Sequence, residues 1–186
     1  MSAFAVVLLL VCVAAWLAVR GVRPSARIYL HFACVLNATL AASALAGIVL
    51  QAIGTITTTM AACFLMLAAF AGFRYPPKPT PAALILVIAC VAGIWSAASG
   101  AMAPAALLQI FCQLVMFALA RRGVVLLRRE SIYLALAAVA LLAASCVLLV
   151  EDVRALMVAL LLFSSAGLLG TALALMVNSE VLVEKP

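Results

Sequence analysis

The chain has 186 residues, of which 70% are hydrophobic and 9% charged, and its mean hydropathy is +1.41. A water-soluble domain is apolar over about half its residues, so this composition excludes water as the main solvent and specifies a membrane protein. The net charge of +6 falls between and beyond apolar runs, which makes it a topological signal and a contact for anionic headgroups; nucleic acid is not expected as a partner.

A hydrocarbon core about 30 Å thick needs roughly 20 apolar helical residues, because a helix satisfies its own backbone polar groups inside lipid. Seven runs meet that need: 2–19, 28–50, 55–73, 81–98, 102–120, 131–150 and 155–177. The expected fold is therefore all-α, a seven-transmembrane-helix bundle forming a single transmembrane helical domain over 1–186. Met1 to Phe4 carries no cation ahead of the first run, so that run reads as a span and not as a cleaved signal peptide. The stretch 8–12 has the outline of a lipoprotein cleavage site, but Val11 stands where a small residue is needed.

Arg20, Arg23 and Arg27 follow the first run, Arg74 and Lys78 the third, and Arg121, Arg122, Arg128 and Arg129 the fifth. Cations concentrate in cytoplasmic connections, which places the N-terminus outside and the C-terminus inside. The intervening connections agree: 51–54 and 99–101 carry no charge, and Glu151, Asp152 and Arg154 are net negative. Trp16, Tyr29, Tyr75 and Tyr133 lie near the cytoplasmic boundaries, where amphipathic rings anchor. The segment Tyr75-Pro-Pro-Lys-Pro-Thr-Pro81 cannot continue a helix through its prolines and is expected to be an extended connector.

Cys12, Cys34, Cys63, Cys90, Cys112 and Cys146 fall one to a span in the first six spans, with no CxxC pair. They are expected to pack as small hydrophobes. Small residues four apart at Ser43/Gly47, Gly93/Ala97 and Ala166/Gly170 predict close helix contacts. A shift of 102 residues lays Leu17-Ala-Val-Arg-Gly-Val22 on Leu119-Ala-Arg-Arg-Gly-Val124, Arg27 on Arg129 and Leu40-Ala-Ala-Ser43 on Leu142-Ala-Ala-Ser145. The same shift carries the third span onto the seventh, the pattern of a 3+1+3 parallel repeat. Chance matches in an Ala/Leu-rich chain are the alternative.

No acidic or basic residue lies inside a span, which removes the usual mark of an ion path or proton relay. His31 is the only histidine, so neither bis-histidine haem nor a multi-histidine metal site is expected, and the seventh span has no Lys for a retinal Schiff base. Serines have no base beside them at depth, so hydrolytic catalysis is not expected. No cofactor is expected. What remains is uncharged polarity: Asn37, Thr39, Gln109, Gln113, Ser164 and Ser165 are expected near mid-depth and form the candidate ligand-binding cluster. Gln109 and Gln113 share a helix face and can hold a small polar ligand or bridge to Asn37. The alternative is plain interhelical hydrogen bonding. The Thr55-Ile-Thr-Thr-Thr59 cluster is expected to cap the third span's outer end.

The run Val19-Arg-Gly-Val-Arg-Pro-Ser-Ala-Arg27, then Gly72-Phe-Arg-Tyr-Pro-Pro-Lys-Pro79, then the Arg-rich link after the fifth span resembles the multi-span membrane sensor modules that precede bacterial diguanylate cyclase or histidine kinase domains. The resemblance implies a sensor module acting through a partner chain. The repeat is similar in arrangement to sugar transporters of the three-plus-one-plus-three kind, but their Pro-Gln signature does not occur.

The leading expectation is a non-catalytic accessory or sensory subunit of a bacterial inner-membrane complex, partnered by the bilayer and by another membrane protein or further copies of itself. The alternative is a small carrier or uniporter for a neutral solute. An enzyme acting on lipid would have only His31, Glu130, Glu151 and Asp152, ungrouped and near surfaces. A pore lined by Asn37, Gln109 and Gln113 favours the carrier; a lipid-facing amide argues against it. The topology predicts that a cysteine introduced between Arg121 and Arg129 is labelled by an impermeant thiol reagent only from the cytoplasm, and one beside Glu151 only from outside. Reversed labelling overturns the N-out orientation.

Overall fold

A computed structural model describes residues 2–46, 51–73, 78–147 and 153–183. Its helices are α1 (Ser2–Ala18), α2 (Pro24–Leu45), α3 (Gln51–Phe73), α4 (Pro79–Ser99), α5 (Ala103–Val125), α6 (Arg129–Val147) and α7 (Val153–Val183), with a 3₁₀ turn at Val19–Gly21 after α1. Each of the seven is long and apolar enough to cross a bilayer, and the chain is a multi-pass membrane protein.

Several helices outrun their apolar windows, because a helix continues into the headgroup layer where charge is tolerated. α5 passes Arg121 to reach Val125, and α3 starts at Gln51, ahead of the threonine cluster. Pro79 and Pro81 belong to the first turn of α4 and not to an extended connector. The N–H that proline lacks has no intrahelical partner at that position, so the residue is tolerated there. Gly47, Arg74, Tyr75, Glu151 and Asp152 lie outside the described residues.

α3 is the central helix: 72% of its spanning window is buried, against 22% for α4. It touches α2, α4, α5 and α7. The helix contacts repeat across the 102-residue shift. α1 packs on α2 and α2 on α3, as α5 packs on α6 and α6 on α7; α1 lies against α7 as α5 lies against α3. α4 bridges α3 and α5 between these two three-helix units, and an α2–α7 contact falls outside the scheme.

Close approaches fix the seams. A Cβ on Gly93 would stand 3.2 Å from the Ile56 backbone of α3, so the glycine lets α4 approach α3 closely. In α7 one member of the expected small pair, Gly170, meets α6, and Gly167 takes the place of Ala166. Ala166 is exposed, while Gly167 faces Leu141 and Gly170 faces Ala137 of α6. The thiols of Cys63 and Cys112 meet across α3 and α5 at 3.5 Å, and Trp16 stacks on His31 between α1 and α2 at 4.1 Å.

Helix ends use borrowed caps. The last carbonyls of a helix have no partner of their own, and Asn178 of α7 donates to Gly72 O at the end of α3 at 2.9 Å. Arg27 donates to Arg20 O and Val22 O. At the start of α5, Ser96 of α4 accepts the Ala105 N–H at 3.1 Å. α4 terminates on Gly100 with φ of 72°, whereas α5 terminates on Leu127 with φ of 52°. There Arg128 N–H bonds Gly123 O at 2.9 Å and Leu127 N–H bonds Val124 O at 3.0 Å. Those two bonds make a Schellman cap, whose left-handed residue is usually glycine. A side chain in that conformation costs roughly 1–2 kcal/mol.

A Cβ added at Gly170 would approach Ala137 Cβ to 2.9 Å and Tyr133 O to 3.2 Å, while one added at Gly21 meets nothing within 4 Å. Gly170→Val is expected to destabilise by about 1–3 kcal/mol through overpacking, and Gly21→Ala to leave the unfolding midpoint in detergent nearly unchanged. Equal midpoints for the two variants would contradict the α6–α7 seam.

Candidate functional site

The polar atoms of the interior converge on the seam between the two three-helix units. α3 brings three successive threonines, and each hydroxyl donates to a carbonyl one turn back. Thr57 bonds Ile53 O at 2.6 Å, Thr58 bonds Gly54 O at 2.7 Å and Thr59 bonds Thr55 O at 2.7 Å. The cluster therefore does not cap the helix, whose first turn lies ahead of it at Gln51.

Because a hydroxyl has a single proton, Thr58 and Thr59 present only lone pairs to the rest of the bundle. The Gln109 amide of α5 meets them with its NH₂, donating to Thr59 Oγ1 at 2.9 Å and to Thr58 Oγ1 at 3.3 Å. This fixes the direction of the amide and turns its carbonyl toward α6. Ser145 Oγ lies 3.2 Å from Gln109 Oε1 and 2.9 Å from Leu141 O. Its one proton is thus shared between a bond across helices and a bond within its own.

One turn deeper, Gln113 of α5, Asn37 of α2 and Ser164 of α7 line a cavity together with Gln109 and Thr58. Its volume is about 10 Å³, the room of one water molecule. Apolar groups close it, among them Leu65, Leu141 and Leu160. Asn37 and Gln113 are each 2% exposed. Asn37 Nδ2 donates to Ala33 O at 2.8 Å, and Gln113 Oε1 has no hydrogen-bond partner among the described residues. Gln113 also borders an apolar groove of about 270 Å³ between α5 and α6, lined by Leu114, Phe117, Ala138, Val139 and Leu142.

Of the six candidate residues, Asn37, Gln109, Gln113 and Ser164 share this cavity. Thr39 does not: it lies on the exposed face of α2, with its hydroxyl folded back onto Val35 O at 2.9 Å. Ser165 is buried beside the site and spends its proton on Leu161 O at 2.6 Å. Thr58, Thr59 and Ser145 were missing from the sequence-derived set. Their signal was the spacing of hydroxyls on α3 and α6 at the level of Gln109, which becomes readable only with the helix start at Gln51. Gln109 lies six positions after Ala103, about 9 Å along the helix, and Gln113 about 15 Å along it, so Gln113 stands at the middle of the span Ala103–Arg121 and Gln109 within one turn of it.

No group of three or more His, Cys, Asp or Glu able to hold a metal occurs among the described residues. The site can accept and donate hydrogen bonds to a neutral molecule. Comparison with protein-family models, with curated proteins and with solved structures finds no match to this chain.

The two glutamines differ in what their loss removes. Gln109→Leu deletes three hydrogen bonds between helices, each worth about 0.6 kcal/mol in a membrane, and is expected to destabilise by about 1–2 kcal/mol. Gln113→Leu deletes an unpartnered buried carbonyl and is expected to leave stability unchanged or raised. Unfolding of the two variants in mixed micelles measures this, and the opposite ranking would contradict the assignment of partners.

Proposed function

We propose that this protein is a small carrier for a neutral polar solute in a bacterial inner membrane, here in a closed state, with no catalytic step. The observation that carries the reading is the meeting of Asn37, Gln109 and Gln113 on one cavity at the seam of two three-helix units. An uncharged amide lining suits a neutral solute with both hydrogen-bond donors and acceptors, since burying a charge there would go uncompensated. The shift of 102 residues supports the reading further. It relates Thr58 to Leu160 and Ala62 to Ser164, and all four line the cavity, so the cavity straddles the seam symmetrically on α3 and α7. Parallel-repeat transporters bind solute at such a seam and move one unit against the other.

The Gln109 tier supplies a closure between the two units that opens at modest cost. When one unit moves against the other, Gln109 leaves Thr58 and Thr59 of α3 and keeps Ser145 on α6 of its own unit; two hydrogen bonds of about 0.6 kcal/mol each are given up. The Gln113 carbonyl one turn deeper then receives the solute's donor.

The small volume of the cavity favours a second reading, a sensory or accessory subunit with a closed interior, in line with the resemblance to membrane sensor modules. The test is osmotic shrinkage of proteoliposomes challenged with urea, glycerol and glucose in turn. The carrier reading expects faster relaxation for at least one probe than in protein-free vesicles, and loss of that increment in Gln113→Leu. No acceleration for any probe, with a stoichiometric membrane partner retained in mild detergent and identified by mass spectrometry, would replace it with the subunit reading.

A further inference from the structure

The interior holds a second polar feature, which the amide site does not use. Cys63 of α3 and Cys112 of α5 meet sulfur to sulfur at 3.5 Å, one thiol donating its proton to the other, and both are fully buried. Met66 follows Cys63 by three residues and Met116 follows Cys112 by four. Both methionines are buried in the same apolar core as the thiols.

Helix geometry brings these four sulfurs together. α3 and α5 run parallel, since Thr58 and Thr59 meet Gln109 and, further along both helices, Cys63 meets Cys112. At about 100° per residue, Met66 stands about 60° short of a full turn from Cys63, and Met116 about 40° past a full turn from Cys112. On parallel helices that face each other, these opposite rotations lean toward the same side of the seam. Helical side chains also tilt toward the N-terminus, over the turn before them. The two methionines therefore lean back toward the thiol pair from about 5–6 Å further along the helices.

We infer that Cys63, Cys112, Met66 and Met116 form a binding site for a soft monovalent metal ion, Cu(I). Thiolate and thioether sulfur select that ion. Zinc draws its four ligands from Cys, His, Asp and Glu, and no third group of those kinds joins the pair among the described residues. Charge selects in the same direction. Cu(I) takes the place of one thiol proton, which leaves for solvent, so an S–Cu bond forms as an S–H bond breaks and the site stays neutral. A divalent ion would have to displace both protons to avoid burying an uncompensated charge, and would then lack its remaining ligands. Because α3 and α5 belong to different three-helix units, a bound ion ties the units together. The inference rests on the sulfur geometry and not on the carrier reading.

The test is an anaerobic titration of the detergent-purified full chain with Cu(I) against the chelator bicinchoninate. Cys12, Cys34, Cys90 and Cys146 are replaced by alanine so that the pair alone carries thiols. One Cu(I) per chain is expected, with a higher unfolding midpoint as free Cu(I) rises and only sulfur neighbours in X-ray absorption. Cys112→Ser is expected to abolish tight binding. Met66→Leu with Met116→Leu, a volume-conserving exchange, is expected to weaken it by about 10–100-fold, what loss of an outer partner already costs a metal site. Absence of binding, nitrogen or oxygen neighbours, an affinity untouched by the methionine exchange, or equal protection by Zn(II) would overturn the site. X-ray absorption is also read on the chain with all its cysteines, so a variant that fails to fold does not decide the outcome.

Discussion

Three neighbouring threonines on the central helix, all buried in the bundle, must be satisfied away from bulk solvent. Thr57, Thr58 and Thr59 solve this locally by returning their protons to carbonyls one turn back. The solution leaves two bare oxygens facing α5, and among the described residues Gln109 donates to both. Once its NH₂ is committed to α3, its carbonyl must face α6, where Ser145 stands. One amide thereby sets the rotation of α5 relative to α3 and α6. Its bonds are individually weak, because helices separated in lipid find other partners, so they select register more than they add strength.

The strength comes from close packing. Gly93 against Ile56, and Gly167 and Gly170 against α6, bring backbones near enough for dispersion to hold helices whose apolar surfaces gain nothing from leaving lipid. The two three-helix units share this plan while differing in polarity. Subtracting 102 sends Gln109 to Val7 and Gln113 to Val11, apolar residues on α1. The scaffold is near-symmetric, while its two glutamines occur on α5 and have apolar counterparts on α1.

Spans and the cation-bearing connections were legible because length and charge act on each segment separately. Rotation was not. In a soluble bundle the apolar stripe reports the inward face, but here lipid and core are equally apolar and the stripe vanishes. Asn37 and Thr39 are two residues apart, so about 200° of helix separates them; one lines the cavity and the other faces outward. Ser164 lines the cavity while Ser165, also buried, turns to Leu161 O, and Ala166 is exposed where Gly167 faces α6. The threonine cluster was misread as a cap because hydropathy starts the span at Thr55 while hydrogen bonding starts the helix at Gln51. Leu127 was invisible for a different reason, since composition gives no warning that a leucine takes the place of a cap glycine.

The most direct test of the Gln109-centred arrangement is a double-mutant cycle between Gln109→Leu and Thr59→Val, read from unfolding free energies in bicelles. A bond across α3 and α5 predicts a coupling of about 0.6 kcal/mol, within the range found between membrane helices. Strictly additive effects would mean that the two side chains do not meet, and the seam on which the proposed site depends would have to be redrawn.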